Sequence, residues 1–164
     1  MKPDEIVKQR FESDCMVACL AMLMKSNYEE AYKACYEAGW DAWTGLGVKI
    51  EVACSAIRLW WNANPIVIPR LPKDSPAILI VPSLARSACL HAVYKDESGR
   101  VYDPSKGVGL YGVDGQMAHS WMSALTIVTD DNRSVIEEIV ESELKIFTDA
   151  LGHEWSKKVV EGPL

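Results

Sequence analysis

Apolar positions recur with a helical period over the first 60 residues, give way to short β-branched runs between residues 65 and 129, and return to a helical period near the end. The spacing of Val17, Leu20, Ala21 and Met24 predicts a helix from Asp14 to Met24, with Ser13 or Asp14 placed to accept a bond from an orphan amide at its start. Ser26-Asn27 interrupt it. Asn27 and Glu30 stand in capping-box spacing and predict a second helix from Tyr28 to Ala38, stopped before Gly39. A loop with two Trp and three Gly follows over 39–47, in which Trp40 and Trp43 read either as a cleft wall or as plain core. A third helix is expected from Lys49 to Leu59, with Trp60-Trp61 ending it.

The runs Pro65–Pro69 and Pro76–Pro82 are short, β-branched and bounded by proline, as strands are. Leu90–Lys95 and Arg100–Asp103 are split by Asp96-Glu97-Ser98-Gly99, which predicts a hairpin with a turn-forming middle. Ser123–Thr129 is a further strand, and the Gly-rich stretch 107–119 reads as a loop with one short strand around Leu110-Tyr111. From Ser134 to Leu151, Ile136, Val140, Leu144, Phe147 and Leu151 form one apolar helical stripe. Helices packed on an antiparallel sheet define an α+β layer architecture.

Composition narrows the class. A chain of 164 residues fits one ordinary domain and buries enough surface to hold a core without disulfide or metal staples. Seventeen Lys and Arg against 23 Asp and Glu give a net charge of −6, and no basic run exceeds two residues, which argues against a nucleic-acid partner. Neither an 18-residue apolar run nor a signal-like apolar segment occurs, so a soluble, cytoplasmic protein without a membrane partner is expected. Five cysteines at irregular spacing fit thiols in a reducing compartment better than a disulfide framework. His91, His119 and His153 have no mutual ligand spacing, and the glycines at 107, 109, 112 and 115 lack a phosphate-loop context; no metal and no cofactor is expected. Residues 131–164 hold eight acids and four bases, a charge of −4 that reads as a solvated helix face or as a docking surface for a protein partner.

Candidate chemistry gathers around one cysteine. His91 and Asp103 lie in the two strands of the hairpin, twelve residues apart, and a four-residue turn brings them within about a residue of being opposite. A carboxylate there fixes the imidazole tautomer and favours imidazolium; a bulge at Gly99 is one way to correct the facing of the pair. Taken by itself, His91 also reads as a satisfied, part-buried strand histidine. Cys15 falls in the first turn of the first helix, where backbone amides stabilise an anion. Cys19, Cys35 and Cys54 sit on apolar helical faces and read as core, and Cys89 is read the same way. Gln9, six residues before Cys15, can offer a side-chain amide to an oxyanion, with the Cys15 N–H as second donor.

The stretches Gln9–Leu23 and Ser26–Ala31 resemble the opening of papain-fold cysteine peptidases of the bacteriocin-processing, double-glycine-leader type and their stand-alone bacterial and phage relatives. His91-Ala92-Val93-Tyr94 through Val101-Tyr102-Asp103-Pro104-Ser105 is similar to the family's His strand and Asp-Pro turn, and Ser123–Val128 to the strand that closes its sheet. The resemblance covers about 9–129; the chain is expected to form one papain-like domain over 1–164, with a helical extension at about 133–151 that lies beyond the likeness. It further implies that Cys15 is the nucleophile, His91 the base, Asp103 the orienting residue and Gln9 the oxyanion donor. The expected activity is hydrolysis of a peptide or isopeptide bond in a peptide or protein substrate. Two alternatives stand beside it: a binding module that keeps the shell, and a deamidase or transglutaminase-like amide enzyme. The chain departs from the family at Met16, where the family usually has Gly and where a side chain can crowd the cleft.

Overall fold

The computed structural model describes residues 6–69, 72, 74–83, 89–105 and 125–129. The chain divides into two compact units, Met1–Thr129 and Asp130–Leu164, and every described residue belongs to the first. The helix expected over Ser134–Leu151, the short strand around Leu110-Tyr111, His119 and His153 all lie outside the described residues.

Helix α1 spans Cys15–Leu23, and every residue from Met16 to Leu23 is buried. Its sequence, Met-Val-Ala-Cys-Leu-Ala-Met-Leu after Cys15, is apolar all round, the pattern of a helix enclosed on every side rather than laid on a surface. Helix α2, Tyr28–Glu37, is amphipathic and starts at Asn27, whose side chain accepts from Glu30 N at 2.9 Å. Half of the expected capping box forms; the Glu30 carboxylate accepts from the Ser26 hydroxyl. A 3₁₀ turn at Ala42–Thr44 follows, begun by Asp41 and closed by Gly45 at φ 69°. Helix α3, Ile50–Trp61, runs two residues further than expected, so Trp60 and Trp61 form its last turn and pack partly buried against the core.

Strands β1 (Pro65–Ile68), β2 (Ala77–Pro82), β3 (Leu90–Lys95), β4 (Val101–Tyr102) and β5 (Thr126–Thr129) form one sheet in the order β1-β5-β2-β3-β4. Each neighbouring pair is antiparallel. Strand β2 is buried from Ala77 to Val81, which accounts for its unbroken apolar run: a strand covered on both faces has no position for a polar alternation. Helix α1 packs on β2 and β3 and against α2, while α3 packs on α2 and β1. Ile78, Ile80, Ala92, Tyr94, Tyr102 and Ile127 join Val17, Leu20, Leu23 and Ile57 in one core cluster. The architecture is therefore α+β, with N-terminal helices against a five-stranded antiparallel sheet.

The hairpin differs from expectation by one residue. Just past the end of β3, the Asp96 N–H donates to Arg100 O at 2.9 Å and Asp96 O accepts from Gly99 N at 3.1 Å, so the loop these bonds close holds only Glu97, Ser98 and Gly99. Gly99 takes φ 89°, which an L side chain resists. The Asp96 carboxylate braces the turn by accepting from Ser98 N (2.9 Å), Ser98 Oγ (2.6 Å), Arg100 N (3.0 Å) and the Tyr102 hydroxyl (3.0 Å). Those bonds hold its carboxyl below the usual range although its burial pushes the other way.

Candidate active site

Cys15 is the first residue of α1 and is half-buried, the one member of that helix not enclosed. Amides in the first turn of a helix have no intrahelical acceptor, so the Cys15 N–H faces outward from the ladder. His91, in β3, lies near enough to Cys15 for the thiol to favour the charged form of its ring. Its Nε2 also lies 2.8 Å from Asp103 Oδ1. With Nε2 held by the carboxylate, Nδ1 is the ring nitrogen left for the thiol.

The register explains why these two strand residues meet. Tyr94 pairs with Tyr102 and Lys95 with Val101. Continuing that pairing one step past β4 sets Asp103 opposite Val93, diagonal to His91 and of the same facing. The three-residue turn therefore restores the parity that a four-residue turn would have lost. The odd residue is Gly99, at φ 89° with its N–H donating to Asp96 O (3.1 Å) and Asp96 N–H donating to Arg100 O (2.9 Å), the bulge expected at that position. Diagonal neighbours are about 7–8 Å apart at the backbone, within the combined reach of imidazole and carboxylate.

Charge at the pair follows from its surroundings. Burial works most strongly against a charged imidazole, but the hydrogen bond to Asp103, the contact with Cys15 and the negative charge of both together raise His91 to about 9. Asp103 is 5% exposed, and that burial alone would raise it. Bonds from His91 and from Ser105 overcome the penalty and bring its carboxyl down to about 2. Ser105 N donates to Asp103 Oδ1 at 2.8 Å, and Ser105 Oγ lies 3.4 Å from His91 Nε2. A buried carboxylate with these donors stays ionised and holds the ring in one orientation.

Gln9 lies in the segment that precedes α1. Its backbone N–H donates to Pro104 O at 2.8 Å, and its Nε2 donates to Phe11 O at 2.6 Å. That bond uses one of the two amide hydrogens and leaves the other for an acceptor. Gln9 Oε1 is buried without a hydrogen-bond partner among the described residues. Lys8 adds two bonds to the same turn, from Nζ to Asp103 O (2.9 Å) and to Ser105 O (3.1 Å). The Gln9 segment and the Asp103 turn are thus stitched to each other through residues far apart in the chain.

Three residues escape the sequence reading. Asp14 is the N-cap of α1 but makes no side-chain bond to the helix; its carboxylate reaches back to Arg10 N and Phe11 N, each at 3.0 Å, and accepts from the Tyr28 hydroxyl. Ser105 and Lys8 buttress Asp103. An Asp directly before the candidate nucleophile is a visible signal for the first; the other two depend on tertiary placement alone.

The remaining cysteines separate by burial. Cys19 is fully enclosed and burial pushes its thiol well above the ordinary range; burial also raises Cys35, to about 12, and Cys54. Cys89 corrects the expectation of a core residue: it is exposed, just ahead of β3, whose own first residue Leu90 is exposed as well. The core cover does not extend to that end of the strand. Trp40 is buried and donates its Nε1 to Leu46 O at 3.0 Å, so it is core, whereas Trp43 is 94% exposed. Met16 is buried in the core cluster, and its bulk is taken up by packing.

Among the described residues no group of three His, Cys, Asp or Glu side chains could hold a metal ion, and no helix is long and apolar enough to cross a membrane. The chain matches no family model and no curated protein.

Proposed function

We propose that this chain is a papain-like cysteine hydrolase acting on peptide-type amides, a cysteine peptidase or isopeptidase. One observation supports the reading: His91 Nε2 lies 2.8 Å from a buried carboxylate, and the half-buried thiol at the start of α1 favours the charged form of the same ring. A histidine that only satisfies a strand has no need of both partners.

In this reading Cys15 gives its proton to His91 and the sulfur attacks the substrate carbonyl carbon, forming a C–S bond as the C=O electrons move to oxygen. The Cys15 N–H and the remaining Gln9 Nε2–H donate to that oxyanion. Collapse of the intermediate breaks the C–N bond, and the His91 imidazolium transfers its proton to the departing amine. Water then attacks the thioester while His91 takes its proton; the carboxylic acid leaves and the thiol is restored. Asp103 keeps the ring in the orientation that serves both halves. An imidazole raised to about 9 keeps its proton at neutral pH; in this reading that proton is the one Cys15 gave up, and it goes to the leaving group.

The test is to incubate the protein with a mixed peptide library and follow new N-termini and free ammonia by mass spectrometry and an ammonia assay. New N-termini that vanish in Cys15→Ala support the peptidase. Ammonia without chain cleavage, equally lost in Cys15→Ala, replaces it with the amidase alternative. Products that persist in Cys15→Ala, or their absence together with a Cys15 that alkylates no faster than Cys89, overturn the hydrolase and leave a binding module on the same shell.

A further inference from the structure

We infer that Asp14 is a positioning residue for oxyanion stabilisation: by bonding Arg10 N, Phe11 N and the Tyr28 hydroxyl, it fixes Gln9 and the Cys15 amide relative to each other. The inference rests on the hydrolase reading above and concerns the geometry of the same site.

Asp14 is 0% exposed. A buried carboxylate is tolerated only where donors surround it, and here all three donors come from outside the helix that it begins. An aspartate at a helix N-cap ordinarily bonds the amides of the first turn. Asp14 forgoes that contact and folds its side chain over the preceding loop.

The consequence is a short closed frame. Asp14 is covalently joined to Cys15, and its carboxylate binds the amides of Arg10 and Phe11, of which Arg10 is covalently joined to Gln9. Both candidate oxyanion donors are therefore immediate chain neighbours of atoms held by one carboxylate. Gln9 Nε2 is itself steered by Phe11 O, the carbonyl of a residue whose N–H Asp14 holds. Tyr28 anchors the carboxylate to the start of α2, and the Arg10 guanidinium lies 4.0 Å over the Tyr28 ring, closing the frame from the other side. Placement is what an oxyanion donor requires, because its contribution depends on sitting about 2.7–3.1 Å from where the charge develops.

The experiment compares two reactions of Cys15. Acylation by p-nitrophenyl acetate passes through a tetrahedral oxyanion and reports the donors. Exchange with 2,2′-dipyridyl disulfide forms no oxyanion and reports the thiol alone. Asp14→Asn and Tyr28→Phe are measured beside the wild type, with circular dichroism to check folding and Cys15→Ala as the blank. Acylation is expected to fall roughly tenfold to a hundredfold in Asp14→Asn and less in Tyr28→Phe, while disulfide exchange changes by less than about threefold. If Asp14→Asn does not fold, the near-isosteric Tyr28→Phe decides by the same selective loss. Equal loss in both reactions, or no loss in either, overturns the positioning role and leaves the hydrolase reading intact. A wild type whose Cys15 exchanges disulfide but is not acylated faster than Cys89 overturns the hydrolase reading, and the positioning role with it.

Discussion

His91 carries two opposed demands: it is mostly buried, which disfavours charge, and it faces a carboxylate and a thiol, which favour it. The partners prevail, lifting it from its ordinary value of 6.5 to about 9. A group raised on folding contributes stability that is fully present below its unfolded value and is lost as pH rises through its folded one. The melting-temperature advantage of the wild type over His91→Gln should therefore be greatest near pH 6 and shrink steadily between pH 6.5 and 9. Asp103 has the opposite sign. Lowered from 3.8 to about 2, it contributes above pH 3.8 and its contribution disappears as pH falls through 2. Acid titration followed by circular dichroism should show Asp103→Asn losing less than the wild type over that window. At the residue level the contact between His91 and Asp103 was legible, because the two residue types fall on paired strands of one hairpin. Asp14 was legible only as a cap. Its real partners, the loop amides and the Tyr28 hydroxyl, depend on how the chain turns back between residues 10 and 14, which no periodicity encodes.

Helix α1 places the thiol, and its hold comes from burial on every side. Leu20 is fully enclosed, and Leu20→Ala should cost about 2–5 kcal/mol, measured by urea unfolding, because the surrounding core relaxes only partly into the gap. The hairpin that brings Asp103 to His91 depends on Gly99 at φ 89°, where no neighbouring atom crowds a Cβ but the backbone itself resists one. Gly99→Ala should destabilise by roughly 1 kcal/mol in the same assay. Element identities were readable from the change of apolar period near residue 65, and α1, α2, β2 and β3 begin or end within a residue or two of the pattern. The turn was misjudged by one residue because Asp96 looks like a turn former and in fact pairs with Arg100, where its carboxylate organises the three residues between them. Lys95 was equally opaque. It reads as the polar end of a strand, yet it is 1% exposed, donating from Nζ to Ser75 O at 2.7 Å and Asp96 O at 3.3 Å. A buried lysine with backbone acceptors leaves no mark in a hydropathy pattern.

Across the described molecule, the site is built from segments that are remote in sequence: Lys8–Gln9 ahead of α1, Asp14–Cys15 at its start, His91 in β3, and Asp103–Ser105 after β4. The helices bring one half and the sheet the other, and bonds from Lys8 and Gln9 to the 103–105 turn join them. That long-range stitching is why the layer architecture could be read from the pattern of elements while the bracing of the site could not. In the proposed site, thiol, imidazole and carboxylate act as one electrostatic unit. This coupling is tested most directly by following the His91 ring signals with pH by nuclear magnetic resonance in the wild type, Cys15→Ser and Asp103→Asn. The wild-type midpoint is expected near 9 and should fall in each variant, since each removes a partner that supports the charged ring. A wild-type midpoint at the ordinary 6.5, unmoved by either substitution, would contradict it.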